Sequence, residues 1–191
     1  MVLNQLNPKP ISEKKGGAGM AENLERGRYL YIMRHGAADS DCGVLNDFNR
    51  SLSHRGVRET IRLIELMQQK KLREPDCILC STALRARQTT ELLRQLFPRA
   101  LVLYREGLYL APVFRLISTL NEMDDIFETV MIVGHHPGLE QAISYLTESA
   151  DQPVLQPSDC AVVRLPYSCA WRSLLPGVGQ MQLFLNQEAL K

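Results

Sequence analysis

The sequence has almost no excess of either charge: 22 Lys and Arg stand against 21 Asp and Glu, a formal net charge of +1 with His neutral. That excludes a global field able to steer nucleic acid or a membrane surface, so attraction for anions must come from local arginines. No apolar run approaches the roughly eighteen residues that span a bilayer, and the first residues lack the apolar stretch of a secretory signal. The expectation is a cytoplasmic protein. There is no internal repeat, and no carboxylate cluster of the kind that holds a divalent metal. Cysteine is scarce and odd in number: Cys42, Cys77, Cys80, Cys160 and Cys169. In a chain of 191 residues that is 45% hydrophobic, large enough for a substantial core, an odd count favours free thiols in a reducing compartment. Cys77-Ile78-Leu79-Cys80 has CxxC spacing but reads as a short buried strand. Residues three apart on a strand face opposite ways, so packing is expected there rather than a shared metal or dithiol.

What is present divides into a tail and one domain. Residues 1–27 carry Pro8, Pro10, Lys14-Lys15, Gly16-Gly17 and Gly19 without apolar periodicity, as a flexible tail does, with Met20 a candidate natural start. Residues 28–191 form the domain. Its first strand is predicted from Arg28 to Met33, and a polar loop from Gly36 to Ser51 overhangs the strand tip. Ser53 is a plausible N-cap for a helix with Val57, Ile61, Ile64 and Met67 on its apolar face. A second strand, Cys77 to Cys80, leads to a helix capped by Ser81 or Thr82 and stopped by Pro98, with Arg85 in its first turn and Arg87 on another face. A third strand spans Leu101 to Tyr104. The following helix starts at Pro112 and buries Val113, Leu116, Ile117 and Leu120. The fourth strand, Thr129 to Val133, runs into Gly134-His135-His136-Pro137-Gly138 and a helix with Leu139, Ala142, Ile143 and Leu146 buried. Strands at Cys160 to Leu165 and Gln180 to Leu185 complete the sheet. Strands alternating with helices predict a three-layer α/β/α fold with a mostly parallel central sheet.

Chemistry gathers at the carboxyl ends of these strands, where open α/β sheets bind ligands. Arg34-His35-Gly36 follows the first strand. Arg34 offers a planar fork of donors suited to phosphoryl oxygens, and Gly36 has no Cβ to obstruct a close approach. Arg85 stands at a helix start, where backbone amides favour anions. Glu106 follows the third strand, and a second histidine, His135, follows the fourth.

In this order, Arg34-His35-Gly36, then Ser81 with Arg85-Ala86-Arg87-Gln88-Thr89, then Val133-Gly134-His135-His136-Pro137-Gly138-Leu139 resemble the histidine phosphatase superfamily, and within it the small SixA-like phosphohistidine phosphatases. Asp47-Phe48-Asn49-Arg50-Ser51-Leu52-Ser53 is similar to the family's Asp-x-x-Arg-Pro-Leu-(Ser/Thr), with Ser51 in place of the proline. The resemblance covers about residues 28 to 165. It implies His35 as a nucleophile forming a phosphohistidine intermediate, and Arg34, Gly36, Arg85 and His135 as the phosphate-binding groups. Glu106 would be the acid for a leaving group, or alternatively a surface glutamate paired with Arg105 or another cation. His136 becomes a rim residue and His54 a surface residue. The resemblance implies neither metal nor cofactor. A neutral imidazole is a good nucleophile near pH 7, and neighbouring arginines disfavour its protonation.

The segment from Leu96 to His135 is too short for the helical insert that encloses small sugars in larger relatives. The expected substrate is therefore phosphohistidine on another protein, for example a histidine phosphotransfer domain, in signal transduction. The alternatives are a phosphatase of small phosphate monoesters and a non-catalytic module that binds phosphate or phosphoproteins. A monomer is expected, with a phosphorylated protein or small phosphorylated molecule as partner and neither nucleic acid nor membrane.

Overall fold

Six apolar segments form a single sheet in the computed structural model, which describes residues 27–40, 46–149 and 153–186. The strands are β1 (Gly27–Arg34), β2 (Cys77–Ser81), β3 (Leu101–Arg105), β4 (Thr129–Gly134), β5 (Cys160–Pro166) and β6 (Gln180–Leu185), in the spatial order β3-β2-β4-β1-β5-β6. The first four strands are mutually parallel, while β5 and β6 pair antiparallel at one side. The central strands β1, β2 and β4 are apolar on both faces because both faces are covered. Helices α3 (Val113–Asn121) and α4 (Gly138–Thr147) pack on the face presented by Leu30, Ile32, Leu79 and Val130. Helices α1 (His54–Gln69) and α2 (Leu84–Leu93) cover the face of Tyr31, Met33, Ile78 and Met131. This is the three-layer α/β/α arrangement that the alternating elements imply.

Cys77 and Cys80 belong to cores on opposite sides of the sheet, as strand alternation requires. Burial pushes their thiols up, Cys77 to about 11 and Cys80 to about 12, so neither is a thiolate at neutral pH. The predicted faces of α3 and α4 have Leu116, Ile117, Leu120, Leu139, Ala142, Ile143 and Leu146 buried, while Val113, expected to be buried, is half-buried at the start of α3.

Two local expectations are corrected. The buried face of α1 is Gly56, Thr60, Leu63, Ile64 and Met67, whereas Ile61 is 40% exposed. The helix has rotated toward its small residues. A Cβ on Gly56 would lie 2.1 Å from the Ala37 carbonyl oxygen, and one on Gly36 would lie 2.7 Å from Thr60 Oγ1. The two glycines let the end of β1 and the start of α1 approach almost backbone to backbone. The contact selects small residues, which an apolar pattern does not register. The second correction concerns α2, which is preceded by Ala83 with no side-chain cap and ends at Leu93. Ser81 instead belongs to β2, and its hydroxyl accepts from the Ala83 amide at 3.3 Å. Ser53 caps α1 as expected, accepting from the Gly56 amide at 3.0 Å. The expected tail at residues 1–27 lies outside the described residues apart from Gly27, as does Cys42. Among the described residues, no helix is long and apolar enough to cross a membrane.

Candidate active site

The register of the two central strands sets the site. Parallel pairing of β1 with β4 places Arg34 opposite Gly134, so the next residue on each strand is a histidine. His35 and His135 stand with ring centroids 4.8 Å apart. Next to β4 lies β2, from which Ser81 and the first turn of α2 reach the same point. Arg34, His35, Arg85 and His135 thereby line one cavity of about 320 Å³, with Asp47 and Arg50 on its outer side.

Each ring has a defined orientation. Nδ1 of His35 lies 2.7 Å from the Gly36 carbonyl, which can only accept, so this nitrogen carries the proton. Nε2 then holds the lone pair and accepts from Arg85 Nε at 3.0 Å. His135 is held the other way round. Its Nδ1 accepts from Arg85 Nη2 at 3.3 Å, and its Nε2 donates to Ser81 Oγ at 2.8 Å. Burial, reinforced by Arg85 and Arg34 and opposed by the Gly36 carbonyl, lowers the His35 pKa to about 4. Burial, the neighbouring His35 and Arg85 bring His135 to about 3. Both rings are neutral at pH 7.

The arginines differ in how they are tied. Arg34 donates through Nη1 to the Leu155 carbonyl at 2.7 Å, while its buried Nε has no hydrogen-bond partner. Burial lowers its pKa, and Glu140 and Asp159 oppose that shift. Arg85 donates to both histidines and is also clasped by Asp47, at 2.8 Å from Nη2 to Oδ2 and 2.5 Å from Nη1 to the carbonyl oxygen. Asp47 opens a short 3-10 turn, Asp47–Asn49, and takes further bonds from Tyr109 at 2.7 Å and Arg50 at 2.8 Å. The Tyr109 hydrogen bond, followed by those of Arg50 and Arg85, holds the Asp47 carboxyl well below the usual range.

Four of the six sequence-predicted site residues converge: Arg34, His35, Arg85 and His135. Gly36 is elsewhere in role. Its amide donates to Thr89 Oγ1 at 3.0 Å and its missing side chain makes room for α1, on the side away from the cavity lining. Glu106 starts a 3-10 turn, Glu106–Leu108, and is exposed outside the cavity lining. His136 is an exposed rim residue and His54 an exposed residue at the start of α1. Asp47, Arg50 and Tyr109 carry no role assigned from the sequence. The pair Asp47 and Arg50 was signalled by its Asp-x-x-Arg spacing, whereas nothing near Tyr109 marked it.

No family model matches the chain. An uncharacterized protein of Mycobacterium tuberculosis is 37% identical over 105 residues, covering 55% of this chain and 63% of the relative. The chain therefore spans somewhat less than two thirds of that protein. An uncharacterized protein of Mycobacterium leprae is 33% identical over 120 residues, 61% of this chain and 72% of the relative. Among solved structures, a candidate phosphohistidine phosphatase SixA from Nakamurella multipartitia is 27% identical with a TM-score of 0.71, covering 84% of this chain and 96% of its own. A candidate SixA from Agrobacterium tumefaciens is 26% identical, also at 0.71, covering 83% and 97%. Two histidines side by side at neighbouring strand ends, the order of the motifs and the shared architecture converge: the chain belongs to the histidine phosphatase superfamily, in its SixA-like group.

Proposed function

We propose that this protein is a phosphatase that passes a phosphoryl group through His35, and that its substrate is phosphohistidine on another protein, such as a histidine phosphotransfer domain. The observation that carries the proposal is the hydrogen bond from His35 Nδ1 to the Gly36 carbonyl, 2.7 Å. It leaves an unprotonated Nε2 in a cavity that also holds two arginines. As the phosphoryl group enters, Arg85 Nε passes its hydrogen bond from Nε2 to a phosphoryl oxygen. Nε2 then attacks phosphorus as the bond from phosphorus to the substrate's imidazole breaks, and that imidazole leaves with a solvent proton, which is returned when the intermediate is hydrolysed. Water then attacks the phosphohistidine, restoring neutral His35 and releasing phosphate. Arg34, Arg85 and His135 surround the transferring group, where positioning and neutralisation of equatorial oxygens supply most of the catalysis.

The substrate class follows from the leaving group. Among the described residues, the one carboxylate in the cavity lining is Asp47, held as an anion by its three donors, and Glu106 lies outside it. A site without a ready carboxylic acid disfavours alkoxide departure. An imidazole, with a reference pKa near 6.5, needs much less protonation. The chain between β3 and β4 holds one α-helix, α3, which packs beside α4, so this segment supplies no helical cover over the mouth. A side chain carried by a second protein can then enter.

The test is alkaline-quench trapping with a labelled phosphoramidate and with a labelled phosphorylated transfer domain, comparing wild type with His35→Ala. The expected result is an alkali-stable, acid-labile label on wild type alone, with phosphate released from the transfer domain. Full turnover by His35→Ala would end the mechanism. Faster release from alkyl phosphate monoesters than from phosphohistidine would end the substrate reading.

A further inference from the structure

Arg85 is the best-buried cation of the cavity, its side chain 4% exposed, yet its guanidinium is already engaged. Nε lies on the nucleophilic nitrogen of His35, Nη2 on His135 Nδ1 and Asp47 Oδ2, and Nη1 on the Asp47 carbonyl oxygen. An incoming phosphoryl group has to take its share of this guanidinium from Asp47. The carboxylate is itself anchored on three sides: Arg85 and Tyr109 donate to Oδ2, and Arg50 donates to Oδ1. Arg50 is fixed in turn by Nε donating to the Asp39 carbonyl at 2.9 Å. Asp47 thus joins the turn before α1, the first turn of α2 and the segment after β3 at the cavity mouth.

We propose that Asp47 is a positioning residue that acts through Arg85, holding the guanidinium over the reacting nitrogen while its negative charge keeps the site's affinity for free phosphate low. The inference rests on the phosphatase reading, which puts the phosphoryl group beside Arg85. A carboxylate and a phosphate compete for the same planar fork of donors. Partial neutralisation weakens binding of substrate and product phosphate alike, a uniform change, whereas placement of the guanidinium beside His35, where it meets the transferring phosphoryl oxygens, matters most during transfer. Losing the carboxylate charge should therefore separate two quantities that a merely structural residue would worsen together.

The experiment measures inorganic phosphate binding by titration calorimetry and single-turnover phosphoryl transfer for wild type, Asp47→Asn and Asp47→Glu. In Asp47→Asn, phosphate binding is expected to tighten by about tenfold while the transfer rate falls by about tenfold or more. Asp47→Glu, which keeps the charge, should bind phosphate as wild type does and recover part of the rate. Asp47 sits on a surface turn with its side chain 44% exposed, and Asp47→Ser provides a second neutral variant if Asp47→Asn does not fold. Phosphate binding that is unchanged or weaker in the folded neutral variant would overturn the proposal. Calorimetric binding does not depend on turnover, so an inactive wild type would refute the phosphatase reading separately.

Discussion

The ends of β1 and β4 look equivalent in the sequence, each an apolar strand delivering a histidine, yet the structure treats the two rings differently. His35 gives its Nδ1 proton to a backbone carbonyl and presents Nε2 to the cavity. His135 presents Nδ1 to Arg85 and spends Nε2 on a side chain, Ser81, from the neighbouring strand. A backbone acceptor fixes one tautomer permanently, because a carbonyl cannot donate. A hydroxyl can do either, so the second ring depends on Arg85 for its assignment. The difference suits the roles proposed for the two rings, His35 making a bond and His135 supporting it.

Breaking that asymmetry at its stronger side should cost most. His35→Ala is expected to lower single-turnover transfer by about a thousandfold or more, since no second nucleophile stands at its place. Arg85→Ala removes the side chain that touches both rings. Loss of about a hundredfold in kcat/KM is expected, as for removal of one donor to developing oxyanion charge. Ser81→Ala frees Nε2 of His135 while leaving His35 untouched. A fall of roughly threefold to tenfold is expected, and an equal loss in Ser81→Thr would argue that packing rather than the hydroxyl is responsible.

The gentlest probe is pH. Both rings have pKa values below the ordinary 6.5, about 4 for His35 and about 3 for His135, so transfer should be flat from neutrality down to about pH 5 and fall below it. Stability should fall in a related window. The unfolded chain takes up protons at these histidines from about pH 6.5 downward while the folded chain resists until about pH 4, so acid favours unfolding across that interval. Nitrogen NMR across the same range should report an Nδ1–H tautomer for His35 and Nε2–H for His135. Two rings with the same tautomer would dissolve the comparison.

Much of this was legible in the sequence where apolar runs carried the signal. Strand ends and the buried faces of α3 and α4 were readable because Leu, Ile and Val fill them, and the strand ends in turn located His35, Arg85 and His135. The face of α1 was not, because Gly56 and Thr60 make its closest contact and neither is apolar. Asp47 lay within a polar loop, where spacing gives a motif but no distance, and its partners Arg85 and Tyr109 are 38 and 62 positions away. Glu106 illustrates the converse. It follows β3, yet it is exposed outside the cavity lining, while Tyr109, three positions further on, donates to Asp47 at the cavity mouth.

The strand order also bears on how the chain is made. Tyr29 in β1 pairs with Thr129 in β4 and with Arg164 in β5, so the first central strand to be synthesised finds both of its neighbours only after a hundred residues or more. At a translation rate of about 5–20 residues per second, the segment Tyr29–Met33 waits roughly 5–20 seconds before β4 is available. During that time five consecutive apolar residues, fully buried in the finished fold, have no sheet to enter. The strand that delivers His35 is therefore the part of the sheet left longest without its partners, and the place where pairing with a wrong segment costs most.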